Sequence, residues 1–345
     1  MLSTEFERLS MPLADPFGIS RGVQTEAENV VVRIEDEGGM TGIGAAAPSS
    51  HYGETADTVE AVLPDLLAVV EDIGDPHAIE RIERRMAETV RRNPAARTAV
   101  SIALHDLASK RLGVPLYRLW GLDAERTPTS SFTIGLDDLD TMREKTKDAY
   151  EAGYDVLKVK LGTDRDEAVI EAVRDEAPGV RIRVDANEAW TPREAVEMSG
   201  FLADHGVEFV EQPVPAEDYE GLQFVYDHGA LPIAADESCV TAGDIPKIAD
   251  RVDIANLKLM KCGGLVEAKR AIHTARAHGL EVMLGCMIET NAAIAAGCHL
   301  APLLDYADLD GSLLLANDPY EGVPMPNGNI DLAGLDRPGI GVQQK

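Results

Sequence analysis

The stretch YDVLKVKLG, Tyr154–Gly162, sets Lys158 and Lys160 inside a run of β-formers. Side chains two apart on a strand point the same way, about 6 to 7 Å from each other, so a strand here aims two ammonium groups at one place. More charged groups follow, each at the end of a short apolar run: Asp185 in RIRVDAN, Glu211 in EFVEQP, Asp236 with Glu237 in PIAADES, Lys258 in IANLKLMK, and Asp308 and Asp310 in YADLD. Asp185, Glu211 and Asp236 lie 26 and 25 residues apart. Three convergent carboxylates cannot all stay ionised without a cation among them. Mg2+ suits such a set, because it prefers oxygen ligands in octahedral geometry and keeps positions open for water and substrate. Taken singly, each acid could cap the following helix or pair with a local arginine, but that reading does not account for the repeat.

Lysine is a poor base at its ordinary pKa of about 10.4. The charges of Lys158 and of a cation are expected to lower the pKa of Lys160, making an uncharged amine accessible near neutrality. Lys261 reads as a lysine snorkelling at a strand end, and Lys158 admits the same reading. With a substrate carboxylate on Mg2+, the enediolate formed by loss of the α-proton is stabilised by the ion. One lysine removes that proton and the other returns one to the opposite face, which gives racemisation, epimerisation, β-elimination or cycloisomerisation. A Schiff-base lyase working through Lys160 or Lys258 competes with this reading, as does a barrel that only binds ligands.

These residues need a frame that brings strand ends together. From about residue 129 the chain alternates short apolar strands with amphipathic helical segments such as LVEAKRAIHTARAHG. Eight such units predict a parallel barrel with helices outside, whose active site lies where strands end and loops begin. Lys160 and Lys258 then fall on the second and sixth strands, facing each other across the ring. No Gly-rich phosphate fingerprint follows the first strand, which disfavours an open doubly wound sheet. Before residue 126, ENVVVRIEDEGGMTGIGAAAP reads as two strands joined by an acidic turn, followed by helices over 55–70, 76–91 and 95–112. The expected fold is therefore α/β, a modified TIM barrel of (β/α)7β form over residues 126–320. An α+β capping domain over 1–125 joins it, and the Gly- and Pro-rich segment 321–345 packs back on that cap.

Composition excludes several functions. Hydrophobic residues make up 45% of the chain, as in a globular protein. Sixty acidic against 32 basic residues give a net charge of −28, which argues against binding nucleic acid or an anionic membrane. Only ten basic residues are lysines. A solvated acidic surface poor in lysine is the composition expected of a halophilic protein, in which salt screens self-repulsion; full stability in salt-free buffer would refute that expectation. No apolar run is long enough to span a membrane and no signal peptide is legible, so the default expectation is a cytoplasmic protein. Cys239, Cys262, Cys286 and Cys298 form no C-x-x-C pair and read as free thiols.

Taken in order, KVK, DAN, EQP, ADES, NLKLMKCGG and the terminal PGIGV resemble the enolase superfamily, in particular its muconate-lactonizing-enzyme subgroup, over nearly the whole chain. A lysine base working with Mg2+ is a known pattern of that superfamily. The resemblance implies Asp185, Glu211 and Asp236 as metal ligands, Lys160 and Lys258 as paired acid/bases, and Lys158 as the lysine that tunes Lys160. Asp308 and Asp310 resemble the D-x-D of dipeptide epimerases, where two acids hold the substrate's α-ammonium group. Cys286, Met287 and Ile288 resemble the segment whose backbone contacts substrate there. Arg21 resembles the arginine that receives a glutamate side chain in Ala-Glu epimerases, and His51 and Tyr52 lie in the second capping loop. The implied activity is that of an isomerase, a Mg2+-dependent dipeptide epimerase of the L-Ala-D/L-Glu type, inverting a Cα through a metal-stabilised enediolate. The same machinery would serve a muconate or chloromuconate cycloisomerase, an o-succinylbenzoate synthase or an N-acylamino acid racemase. The expected partners are a small carboxylate substrate and further copies of the chain in a homo-oligomer.

Overall fold

The computed structural model describes residues 2–345. Strands β1 (Ser3–Ile19), β2 (Gly22–Glu35) and β3 (Thr41–Ala46) form an antiparallel sheet in that order. β1 goes beyond the two strands expected. Its prolines and charges leave most side chains exposed, so no apolar alternation marks it in the sequence, and ladder pairing with β2 from Ser3–Glu35 to Pro12–Glu26 holds it. Helices α1 (Ala56–Ile73), α2 (Ile79–Thr89) and α3 (Pro94–Leu112) cover this sheet. α3 lies almost directly on β3 because TGIGAA has glycines facing it: a Cβ on Gly42 would stand 2.1 Å from the carbonyl oxygen of Ala103.

The second sheet has eight parallel strands: β4 (Phe132–Ile134), β5 (Val156–Lys160), β6 (Arg181–Asp185), β7 (Val207–Glu211), β8 (Ile233–Ala235), β9 (Ile254–Lys258), β10 (Glu281–Gly285) and β11 (Tyr306–Ala307). They are hydrogen-bonded in chain order, with helices between them, and the sheet curls until a single bridge between Ser130 and Ala307 joins its two edges. All five residues of both β5 and β9 are buried, as expected for parallel strands covered on both faces. Register decides what meets at the rim. Lys160 pairs with Asp185, Asp185 with Glu211, and Lys258 with Gly285, so the last residues of these strands stand side by side.

Several bonds tie the N-terminal elements to the strand ends. Thr98 Oγ1 on α3 donates to the Leu259 carbonyl at 2.7 Å, and Asn29 on β2 brackets the loop after β10 by donating to Ile288 O and accepting from Thr290 N. The C-terminal segment returns to α3, where Ile340 N donates to Asp106 Oδ1 at 2.8 Å. Among the described residues no helix is long and apolar enough to cross a membrane.

Candidate active site

The parallel register brings Asp185, Glu211 and Asp236 together. Each offers one carboxylate oxygen, and these oxygens lie within 4.8 Å of one another with all three residues buried. Asp185 Oδ1 accepts from Asn187 N, and Glu211 Oε1 accepts from Asn256 Nδ2 at 2.9 Å. Glu211 Oε2 has no aligned hydrogen-bond donor, although Lys158 Nζ lies 2.8 Å away. Three carboxylates this close share their charge unequally. Burial opposes the charge of Asp185, but Lys160 and Lys158 outweigh it and hold the group well below the carboxylate range; Asp236 is depressed likewise by Lys258 and Lys261. Burial, then the charge of Asp185, pushes Glu211 up to about 8. A set of three buried carboxylates with oxygens this close together fits a hard divalent cation.

Four ammonium groups surround the trio. Lys160 Nζ donates to Asp185 Oδ2 at 2.6 Å and Lys258 Nζ to Asp236 Oδ2 at 2.7 Å, so the two lysines engage different carboxylates from strands four apart in the ring. Both line a cavity of about 670 Å3 beneath the cap. Gly285, paired with Lys258, keeps that flank open: a Cβ there would stand 3.1 Å from Lys258 Cε. Lys158 Nζ lies 2.8 Å from Asp308 Oδ2 and 3.1 Å from Asp185 Oδ2.

One expectation is corrected here. Lys261 and Lys158 do not snorkel; both are buried, and each ammonium is held by carboxylate oxygens rather than water. Burial acts against the charge of Lys258, but Asp236, Glu211 and Glu237 together outweigh it and leave the group above its ordinary value; Lys158 is likewise raised by Asp308 and Glu211 against burial. The physical reason is direct pairing: an ammonium touching a carboxylate is stabilised in its charged form.

Asp308 and Asp310 lie not on a strand but just beyond it, since β11 ends at Ala307. Both still face the cavity. Asp308 accepts from Lys158 and from Ser131 Oγ, and Lys158 outweighs burial to keep its pKa low. Asp310 Oδ2 accepts from Thr133 N at 2.7 Å, while burial and the nearby charge of Asp308 raise it to about 7. Cys286, Met287 and Ile288, in the loop after the neighbouring strand β10, also line the cavity. From the cap come Arg21, in the turn between β1 and β2, and Tyr52, whose phenol burial pushes up. Arg21 bonds to Glu188 Oε2 at 3.0 Å and to Glu237 Oε1 at 2.8 Å, with His51 Nε2 3.4 Å from the same Glu188 oxygen.

Sequence reasoning missed the residues that hold this set in place. Gln212 Oε1 accepts from the backbone of both Asp236 and Ser238, fastening the loop after β8 to the end of β7. Asn187, Glu188 and Gln212 all have positive φ, 44°, 69° and 34°, a conformation that costs energy and persists where surrounding bonds enforce it. Asn256 and Glu237 also went unassigned, although both sit beside the charged strand ends and could have been found by asking what bonds a buried carboxylate.

Residues 141–345 match the family Enolase C-terminal domain-like, and residues 3–121 match Mandelate racemase / muconate lactonizing enzyme, N-terminal domain. The chain belongs to the enolase superfamily. Within the mandelate racemase/muconate lactonizing enzyme group, it is 42% identical over 337 residues to the L-Ala-D/L-Glu epimerase of Bacteroides thetaiotaomicron, covering 97% of this chain and 86% of the relative. A hydrophobic dipeptide epimerase of Roseobacter litoralis is 40% identical over 99% of this chain and 98% of its own. The crystal structure of the dipeptide epimerase from Enterococcus faecalis V583, complexed with Mg and the dipeptide L-Leu-L-Tyr, superposes with a TM-score of 0.92 at 34% identity, covering 99% of each chain. An enolase-superfamily barrel with this cap is therefore the frame in which the charged rim works.

Proposed function

We propose that this chain is an isomerase, a Mg2+-dependent dipeptide epimerase that inverts the Cα of the C-terminal residue of an L-Ala-D/L-Glu-like dipeptide. The observation that carries this reading is the pair of carboxylates, Asp308 and Asp310, that line the same cavity as Lys160 and Lys258. A dipeptide needs anions for its free ammonium group at a distance from the site that takes its carboxylate; cycloisomerase, synthase and N-acyl substrates have no such ammonium.

Asp185, Glu211 and Asp236 would hold the ion, which supplies positive charge to the substrate carboxylate as the neighbouring carbon loses its proton. Lys160 and Lys258 approach from opposite flanks of the cavity. In each direction one free amine takes the α-proton and the opposed ammonium delivers one to the other face, so a single pass exchanges the configuration. Lys158, held by three carboxylates, keeps a fixed positive charge two residues from Lys160. The backbone of Cys286, Met287 and Ile288 would flank the substrate's peptide unit. Arg21 and Tyr52 roof the cavity, and an acidic side chain of the substrate would compete with Glu188 and Glu237 for Arg21.

Deuterium exchange at Cα across a panel of dipeptides and N-acyl amino acids tests this reading. Dipeptides should exchange and N-acyl compounds should not; exchange with N-acyl compounds alone would refute it. The pairing of Asp308 with Lys158 leaves Asp310 as the acid without a charged partner at hydrogen-bond distance. Asp310→Asn should therefore raise KM for dipeptides by roughly tenfold or more, a charge-assisted bond being worth about 1.5–3 kcal/mol. An unchanged KM would remove the ammonium role.

A further inference from the structure

Lys261 lies three residues beyond Lys258, on the one-turn helix Leu259–Cys262, and does not line the cavity. Its buried ammonium donates to Asp236 Oδ1 at 2.5 Å, to the Asp236 carbonyl at 2.6 Å and to the Asn256 carbonyl at 3.0 Å. All three of its protons are committed to protein oxygens. The other Asp236 oxygen, Oδ2, is bonded to Lys258, which does line the cavity. The two oxygens of one carboxylate thus stand in different positions: Oδ1 is held by a lysine whose three protons are all committed and which lies away from the cavity, and Oδ2 is held by a lysine that lines it.

We infer that Lys261 makes Asp236 a one-oxygen ligand and so sets the preference of the site for a small octahedral ion. The inference rests on the metal reading above. Mg2+ requires nearly ideal octahedral geometry, which the narrow bite of a two-oxygen carboxylate distorts, whereas Ca2+ takes up to eight oxygens and accepts bidentate carboxylates. Removing Lys261 releases Oδ1 and favours the larger ion. Lys261 is a positioning residue acting through Asp236, as outer partners of metal ligands do.

The test compares the full-length wild type with Lys261→Met, Lys261→Gln and Lys261→Arg, each stripped of metal and titrated calorimetrically with Mg2+ and with Ca2+. The quantity read is the ratio of the two dissociation constants. Lys261→Met should shift that ratio toward Ca2+ by about tenfold, the lower end of what outer-shell changes produce, and Lys261→Arg, which keeps the donors, should hold it near the wild-type value. Losing the ammonium's charge alone would change both affinities by one factor, so an unmoved ratio overturns the inference. Should Lys261→Met fail to fold by circular dichroism, Lys261→Gln reads the same loss. Wild-type crystals grown with each ion add an arm that needs no variant: Asp236 bound through Oδ2 alone, with Lys261 still on Oδ1, supports the inference, and both Asp236 oxygens on Mg2+ overturn it. A wild type that binds neither ion overturns the metal reading and this inference together, whereas Mg2+ binding with an unmoved ratio overturns this inference only.

Discussion

Lys258→Ala should lose epimerisation by roughly a thousandfold, within the range of about 10^2 to 10^4 typical of a removed general acid or base, while still exchanging the α-proton of one stereoisomer with solvent deuterium. Lys160→Ala should show the mirror result, exchanging only the other stereoisomer. The reason is geometric. Lys160 and Lys258 sit on the second and sixth strands and bond to different carboxylates, Asp185 and Asp236, so under the proposed function each would address one face of a substrate lying between them. Inversion needs both; exchange needs only the lysine on the side where the proton already points. Folding should survive either change, because Asp236 keeps Lys261 at 2.5 Å and Asp185 keeps Lys158 at 3.1 Å, so neither buried charge is left alone. Chiral product analysis with proton NMR in D2O reads the outcome. Either variant exchanging both stereoisomers, or neither, would end the two-sided mechanism.

Stripping the metal with EDTA should abolish activity, and restoring Mg2+ should recover it and raise the melting temperature. An ion that binds only the folded chain stabilises it by about 2.7 kcal/mol at a hundred times its dissociation constant. The effect is expected to be large because the ion would offset the burial and the mutual repulsion of three carboxylates, which in that order push Glu211 up to about 8. Glu211→Gln separates the two consequences. Gln has the shape of the protonated acid and retains an oxygen for Asn256 Nδ2, but it turns an amide NH2 toward Lys158 Nζ, which lies 2.8 Å from Glu211 Oε2, so the metal-free variant should melt somewhat below the metal-free wild type. It lacks the charge the ion requires, so added Mg2+ should no longer raise its melting temperature and its activity should be lost. Activity that persists in EDTA, or a Glu211→Gln variant that still responds to Mg2+, would remove the metal from the mechanism. A Schiff-base lyase, by contrast, would ignore chelators and be trapped by borohydride.

How far the site was legible varies residue by residue. Asp185, Glu211 and Asp236 were readable because each closes an apolar run and they recur once per strand-helix unit; in a parallel barrel equal positions in successive units become neighbours. Asp308 and Asp310 were readable as a pair, although the strand thought to carry them is two residues long. Arg21, Tyr52 and Cys286 through Ile288 entered only through family resemblance, since nothing in the spacing of a loop says which way it folds. β1 escaped notice because a strand held by ladder hydrogen bonds and little burial leaves no apolar alternation.

The linear chain by itself determined the number of strands at the barrel rim, the chemical types that end them and the strong net negative charge, because these depend on composition and local periodicity. The tertiary structure alone decided who is paired with whom. Whether Lys261 reaches water or Asp236, whether Lys158 is bound to Asp308, and whether Gln212 clamps the next loop depend on register and on the short distances it creates across strands. Buried charge is what makes those distances matter: with little water to screen them, a shift of a few ångströms decides which oxygen is held by a lysine and which is left for an ion.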